Sequence, residues 1–156
     1  MKHNCILLSC LLFLLPPPWA MVRAQQSRLP FHQDKTDKPL LFAALPEKFE
    51  CDAAAITRLF SLGINERFSA PLSGLFLLEG RVIDKTQHNG GTISINIRLQ
   101  NYDNALFNLA LRLQANNTAS IQGRILHPRY GDALILTQKN NAFFLHKRDQ
   151  RLVMPE

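Results

Sequence analysis

Between Ile93 and Leu99 the apolar residues Ile93, Ile95, Ile97 and Leu99 alternate with Ser94, Asn96 and Arg98. Successive side chains on a strand point to opposite faces, so this period of two predicts a strand with one buried and one wet face. Similar patterning runs through Leu75–Asp84, Ala105–Leu113, Ala119–Leu126, Ala133–Thr137 and Ala142–Lys147, and Leu152 and Val153 allow a short tail strand. The segment from Ala105 is rich in Ala and Leu, which favour helix. The Asn-rich turn before it, Asn101-Tyr102-Asp103-Asn104, and the regular inward set Ala105, Phe107, Leu109, Leu111 and Leu113 decide for a strand. Polar, Gly- and Asn-containing turns separate the others: His88–Gly91, Asn116–Thr118, His127–Asp132 and Gln138–Asn141.

Upstream of Phe68 the period is helical. Asp52 is a plausible N-cap, Ala53-Ala54-Ala55 are strong helix formers, and Ile56, Leu59 and Phe60 form an apolar stripe before the Gly63 stop. A helix is expected over about 53–62, opening as early as Glu47. The stripe reads as core packing. The whole is a mainly β (α+β) chain: one N-terminal helix, then about six antiparallel strands in a small curved sheet or partly closed barrel. Long crossover segments are missing between the strands, so parallel pairing is excluded. Glu79-Gly80-Arg81-Val82-Ile83 and Gln122-Gly123-Arg124-Ile125-Leu126 echo each other. Glycine inside a strand often marks a bend, so the pair is a candidate for two equivalent corners, with chance as the rival account. The order of helix and bent strands resembles Sm-like and other SH3-like small barrels in architecture alone, and fold alone does not give function.

The N-terminus reads differently. Lys2 precedes an uncharged apolar run, Ile6–Leu15, which Pro16-Pro17-Pro18 breaks, and Val22-Arg23-Ala24 ends on a small residue. That is the layout of a secretory signal peptide cleaved after Ala24. The run is too short to span a bilayer, which takes roughly 20 residues. Residues 25–39 are polar and are expected to form a flexible leader; 40–156 form a single β-rich domain. The expected location is periplasmic or extracellular, with no transmembrane span in the mature chain.

Composition then narrows the chemistry. The chain has 18 basic and 12 acidic side chains. Cleavage removes Lys2 and Arg23, leaving 16 against 12, and the excess lies after residue 71. This balance is mild for a nucleic-acid binder, and export makes nucleic acid an improbable partner. Of three cysteines only Cys51 survives cleavage, so an internal disulfide and a multi-cysteine metal site are excluded. Cys51 is then a buried apolar residue or a point of intermolecular pairing. His32, His88, His127 and His146 lack ligand spacing, so no metal or cofactor is expected. Nucleophile-elbow and phosphate-loop motifs are absent, and no catalytic residue is assigned. Asn116-Asn117-Thr118 matches a glycosylation acceptor pattern.

Two groups of side chains remain as candidate binding residues. The turn after Leu126 holds His127, Arg129, Tyr130 and Asp132, and Tyr102 sits in another turn. Arg and Tyr recur among residues that dominate interfaces. Arg81, Arg98, Arg112 and Arg124 fall on outward strand positions and would form a basic stripe if their strands are neighbours. The leading reading is an exported, non-catalytic domain that binds a protein or anionic polymer in the cell envelope, or stabilises an assembly there. One alternative is a small hydrolase using His127 and Asp132, since a carboxylate can orient a general-base imidazole. The other is an anion or nucleic-acid binder acting through the arginine-lined face.

Overall fold

The computed structural model describes residues 38–88, 90–114 and 118–153. The expected signal peptide, most of the leader and Asn116-Asn117 lie outside the described residues. The elements are β1 (Lys48–Cys51), α1 (Ala53–Leu59), β2 (Arg67–Ser73), β3 (Phe76–His88), β4 (Thr92–Leu99), β5 (Ala105–Leu113), β6 (Ala119–Leu126), β7 (Asp132–Lys139) and β8 (Ala142–Asp149). All eight strands form one antiparallel sheet, ordered β1-β8-β7-β6-β5-β4-β3-β2 and curled into a half-barrel. β2 to β8 follow one another as a meander, and β1 returns to pair with β8. The two edge strands are thus neighbours in sequence. α1 joins them, and the Asp52 amide donates to the Leu72 carbonyl at 2.7 Å, tying one edge to the other.

Three expectations are corrected. There are eight strands, not about six. Residues 48–51, read as an early opening of the helix, are β1: Phe49 and Cys51 face in while Lys48 and Glu50 face out. An alternation of four residues is too short to outweigh the helix signal beside it. β2 was obscured by Pro71, a residue that suits an edge strand. At the other end Gln150–Leu152 is a short 3-10 turn capped by Asp149, not a tail strand. α1 itself starts as expected: the Asp52 carboxylate accepts from the Ala54 and Ala55 amides at 2.7 and 3.3 Å.

Cross-strand rows explain the core. Val82, Ile97, Phe107, Ile125 and Leu134 form one inner row and Ile95, Leu109, Leu136, Leu145 and Phe49 the next. Ile56 and Leu59 of α1 bury against the same cluster. A bulge at Ile83 shifts the facing of β3 by one residue. Lys85 is thereby turned inward beside Ile95, where its ammonium donates to the Phe60 and Leu62 carbonyls at 2.7 and 3.0 Å and satisfies the end of the helical segment. Both echo glycines sit tight against the neighbouring paired strand. A Cβ on Gly80 would lie 2.5 Å from the Arg98 carbonyl oxygen, and one on Gly123 would lie 2.7 Å from Leu109 Cδ2 and 3.0 Å from the Asn108 oxygen.

Candidate functional site

The turn after β6 is a clasp. Asp132 is buried, and its two carboxylate oxygens accept from the amides of Leu41 and Phe42 at 2.7 and 2.8 Å. The Gly131 amide donates to the Pro39 carbonyl at 2.9 Å, and the Lys38 ammonium donates to the Pro128 carbonyl at 2.9 Å. These bonds strap residues 38–42 across the turn and drive Phe42 into the core. Gly131 does not need a positive φ; a side chain there would instead press on the Lys38 carbonyl oxygen, 3.2 Å from its Cβ. The Gln150 amide, oriented to suit its surroundings, donates to the carbonyls of Tyr130 and His127 and seals the turn from the other side.

The remaining turn side chains gather on Asp103 of the β4–β5 turn. Arg129 donates to its carboxylate at 2.6 Å, and the Tyr130 hydroxyl bonds to the same carboxylate, which raises the phenol pKa. His127 is nearly buried, edge-on to Tyr130, with Nε2 3.9 Å from Asp103 Oδ2 and Nδ1 accepting from the Arg129 amide at 3.2 Å. In the sequence Asp103 is indistinguishable from an ordinary turn residue. Its positive φ of 49°, followed by 63° at Asn104, is the tight-turn backbone that the Asn-Tyr-Asp-Asn sequence hinted at. His127 and Asp132 form no hydrogen bond with each other. Tyr102 packs inward against Phe42 and Phe76, with ring centroids 5.6 and 5.0 Å apart, and burial raises its pKa.

The arginines lie on the opposite, outer face. β3, β4, β5 and β6 are neighbours, and Arg81, Arg98, Arg112 and Arg124 are all exposed. Arg67, Arg81 and Arg98 stand directly opposite one another on β2, β3 and β4. Like charges in that relation cost stability. Glu79 and Asp84 share the face, yet no arginine of the set reaches ion-pairing distance of a carboxylate among the described residues. Arg124 lies opposite Asn108, and Arg112 lies opposite Ser120. Four residues of β5 therefore separate the last two arginines, about 13 Å of strand.

Between them the sheet opens. β6 and β7 pair only from Gly123 to Leu126, although β6 runs on to Ala119 beside β5 and β7 to Lys139 beside β8. In the gap Gln138 Oε1 accepts from the Ile121 amide at 2.9 Å, replacing a strand carbonyl. The result is a cleft of about 560 Å³ lined by Arg112, Arg124, Asn108, Gln122, Thr137 and Gln138, with small Ala110 on its floor. A polar ladder orients one wall. Asn96 Nδ2 donates to Asp84 Oδ2 at 3.2 Å, and Asn108 Nδ2 donates to Asn96 Oδ1 at 2.7 Å. Asn108 keeps its carbonyl oxygen and one amide hydrogen on the cleft wall. At the rim, Thr137 Oγ1 lies 3.0 Å from His146 Nε2. The cleft went unread in the sequence because it depends on where two strands part.

Elsewhere Cys51 is buried and free, and burial pushes its thiol up to about 11. Among the described residues no three His, Cys, Asp or Glu side chains gather to hold a metal ion, and no helix is long and apolar enough to cross a membrane. In comparisons with known proteins, the chain matches no family model, no curated protein and no solved structure.

Proposed function

We propose that this is an exported, non-catalytic binding domain whose outer sheet face takes an anionic polymer of the cell envelope. The single observation carrying the reading is the arginine set: Arg81, Arg98, Arg112 and Arg124 share one face, exposed and free of carboxylate partners among the described residues, and two of them flank a cleft. Glu79 and Asp84 share this face, yet among the described residues neither pairs with an arginine of the set, whereas a face evolved only for solubility would allow such pairs. Here arginines stand opposite arginines at a cost to folding, which favours a surface kept for an external anion. Nucleic acid fits less well, because no residue lining the cleft is aromatic and single strands bind by stacking. The hydrolase reading loses support, since both oxygens of Asp132 are engaged by backbone amides.

Binding to immobilised heparin in rising salt tests this. Replacing Arg81, Arg98, Arg112 and Arg124 by Ala should weaken binding by about tenfold or more, about 1.4 kcal/mol. Removing Arg58 and Arg129, two arginines away from the face, should change it far less. Equal losses per arginine removed would reduce the effect to net charge and sink the proposal.

A further inference from the structure

We infer that the β6–β7 cleft is a subsite for an acidic saccharide unit, a hydroxyl-bearing ring that carries a carboxylate or sulfate. The inference rests on the anion-binding reading above and specifies the ligand class. Three observations carry it. First, the cleft offers acceptors as well as donors. The Asp84–Asn96–Asn108 ladder uses one Asn108 amide hydrogen on Asn96 and leaves its carbonyl oxygen as an acceptor on the cleft wall. A bare sulfate has only acceptors to present, so it would leave that oxygen without a partner. A ligand with both hydroxyls and a negative group satisfies both sides. Second, about 560 Å³ is far more than an inorganic ion fills and falls within the range of small-molecule sites. Third, Arg112 and Arg124 flank Ala110, whose small side chain leaves the floor open between them. Long arginine side chains reaching in from both ends can meet one carboxylate there, while Gln122 and Thr137 face the hydroxyls.

Titration calorimetry of the purified protein with tetragalacturonate, maltotetraose and tripolyphosphate tests the assignment. Tetragalacturonate should bind, and neutral maltotetraose should bind at least about tenfold more weakly. Arg112→Ala/Arg124→Ala should abolish tetragalacturonate binding without moving the thermal midpoint. Asn108→Ala should weaken tetragalacturonate by about fivefold or more and leave tripolyphosphate unchanged; Gln122→Ala, at an exposed position, gives the same readout should Asn108→Ala not fold. If tripolyphosphate binds as tightly as tetragalacturonate and neither single variant separates them, the cleft is a plain anion surface: the saccharide assignment falls and the broader function stands. Equal binding of maltotetraose also overturns the assignment. If neither anion binds, both readings fall together.

Discussion

β6 and β7 are one strand pair with two unlike ends. At the His127–Asp132 end the chain is zipped: Asp132, Gly131 and Pro128 all bond to the strap at residues 38–42, and His127 and Tyr130 close over Asp103. At the Ser120–Gln138 end the strands part and the polar side chains face solvent. Residue types alone rank the first end higher, because it packs His, Arg, Tyr and Asp into six positions. The structure shows those side chains occupied by one another and by backbone. What distinguishes a site from a clasp is therefore whether polar capacity is left over, and here the surplus is at the open end.

The largest expected effect lies at the clasp. Asp132→Ala removes acceptors from two backbone amides, one of them buried, and should release Phe42 from the core. Unsatisfied buried donors cost about 1–3 kcal/mol each, so a loss of about 3 kcal/mol is expected in urea unfolding. Arg124→Ala, at the open end, should stay within about 0.5 kcal/mol. A mild Asp132→Ala would mean that the strap contributes little and would erase the contrast.

A smaller loss is expected where the zipped and open halves meet. Gly123 is the last residue of β6 paired to β7 on the cleft side, and a Cβ there would crowd Leu109 and the Asn108 carbonyl. Overpacking of this kind costs about 1–3 kcal/mol, so Gly123→Ala should destabilise by about 2 kcal/mol. Gly74→Ala, with nothing within 4 Å of its Cβ, is the matched control. Equal melting temperatures for the two variants would show that the sheet relaxes freely at this bend. Below these comes Arg129→Ala. Arg129 is 72 % exposed in its pair with Asp103, and surface pairs are worth about 0.2–1 kcal/mol; about 0.5 kcal/mol is expected by the same urea assay.

Much of the fold was legible because period-two patterning survives from Phe76 to Phe143. Burial supplies that signal, and burial on one face is what the curled sheet imposes. β5 was separable from a helix by the Asn-rich turn before it and the period-two set Ala105, Phe107, Leu109, Leu111 and Leu113. The short edges were not legible: β1 has four residues and depends on β8, distant in sequence, while β2 carries Pro71 and pairs only with β3. The bulge at Ile83 was equally hidden, and with it the inward turn of Lys85. Of the site, the outward arginines were readable from alternation. The register that sets Arg81 against Arg98 and leaves Arg112 and Arg124 across a gap was not, since no local pattern encodes where neighbouring strands separate.

The smallest effect sharpens the comparison at the rim of the open end. His146 lies on the outer face between Ile135 and Lys48, against Thr137. Burial first, then the positive charges of Lys48 and Arg148, hold its pKa below the ordinary 6.5. A histidine whose pKa is lower when folded binds protons more tightly when unfolded. Its contribution to stability is therefore whole above the unfolded value and declines as pH falls from 6.5 through the native value. Protonation would also place a third positive charge beside Lys48 and Arg148, next to a wall of the cleft. The ring resonances of His146 should titrate below 6.5 by NMR. His146→Gln, which keeps a partner for Thr137, should lose less stability than the parent between about pH 7.5 and about pH 5. A His146 that titrates at or above 6.5 would mean that the local field is set by Glu50 on the neighbouring strand rather than by the two cations. The basic character assigned to the outer face would then stop at β6.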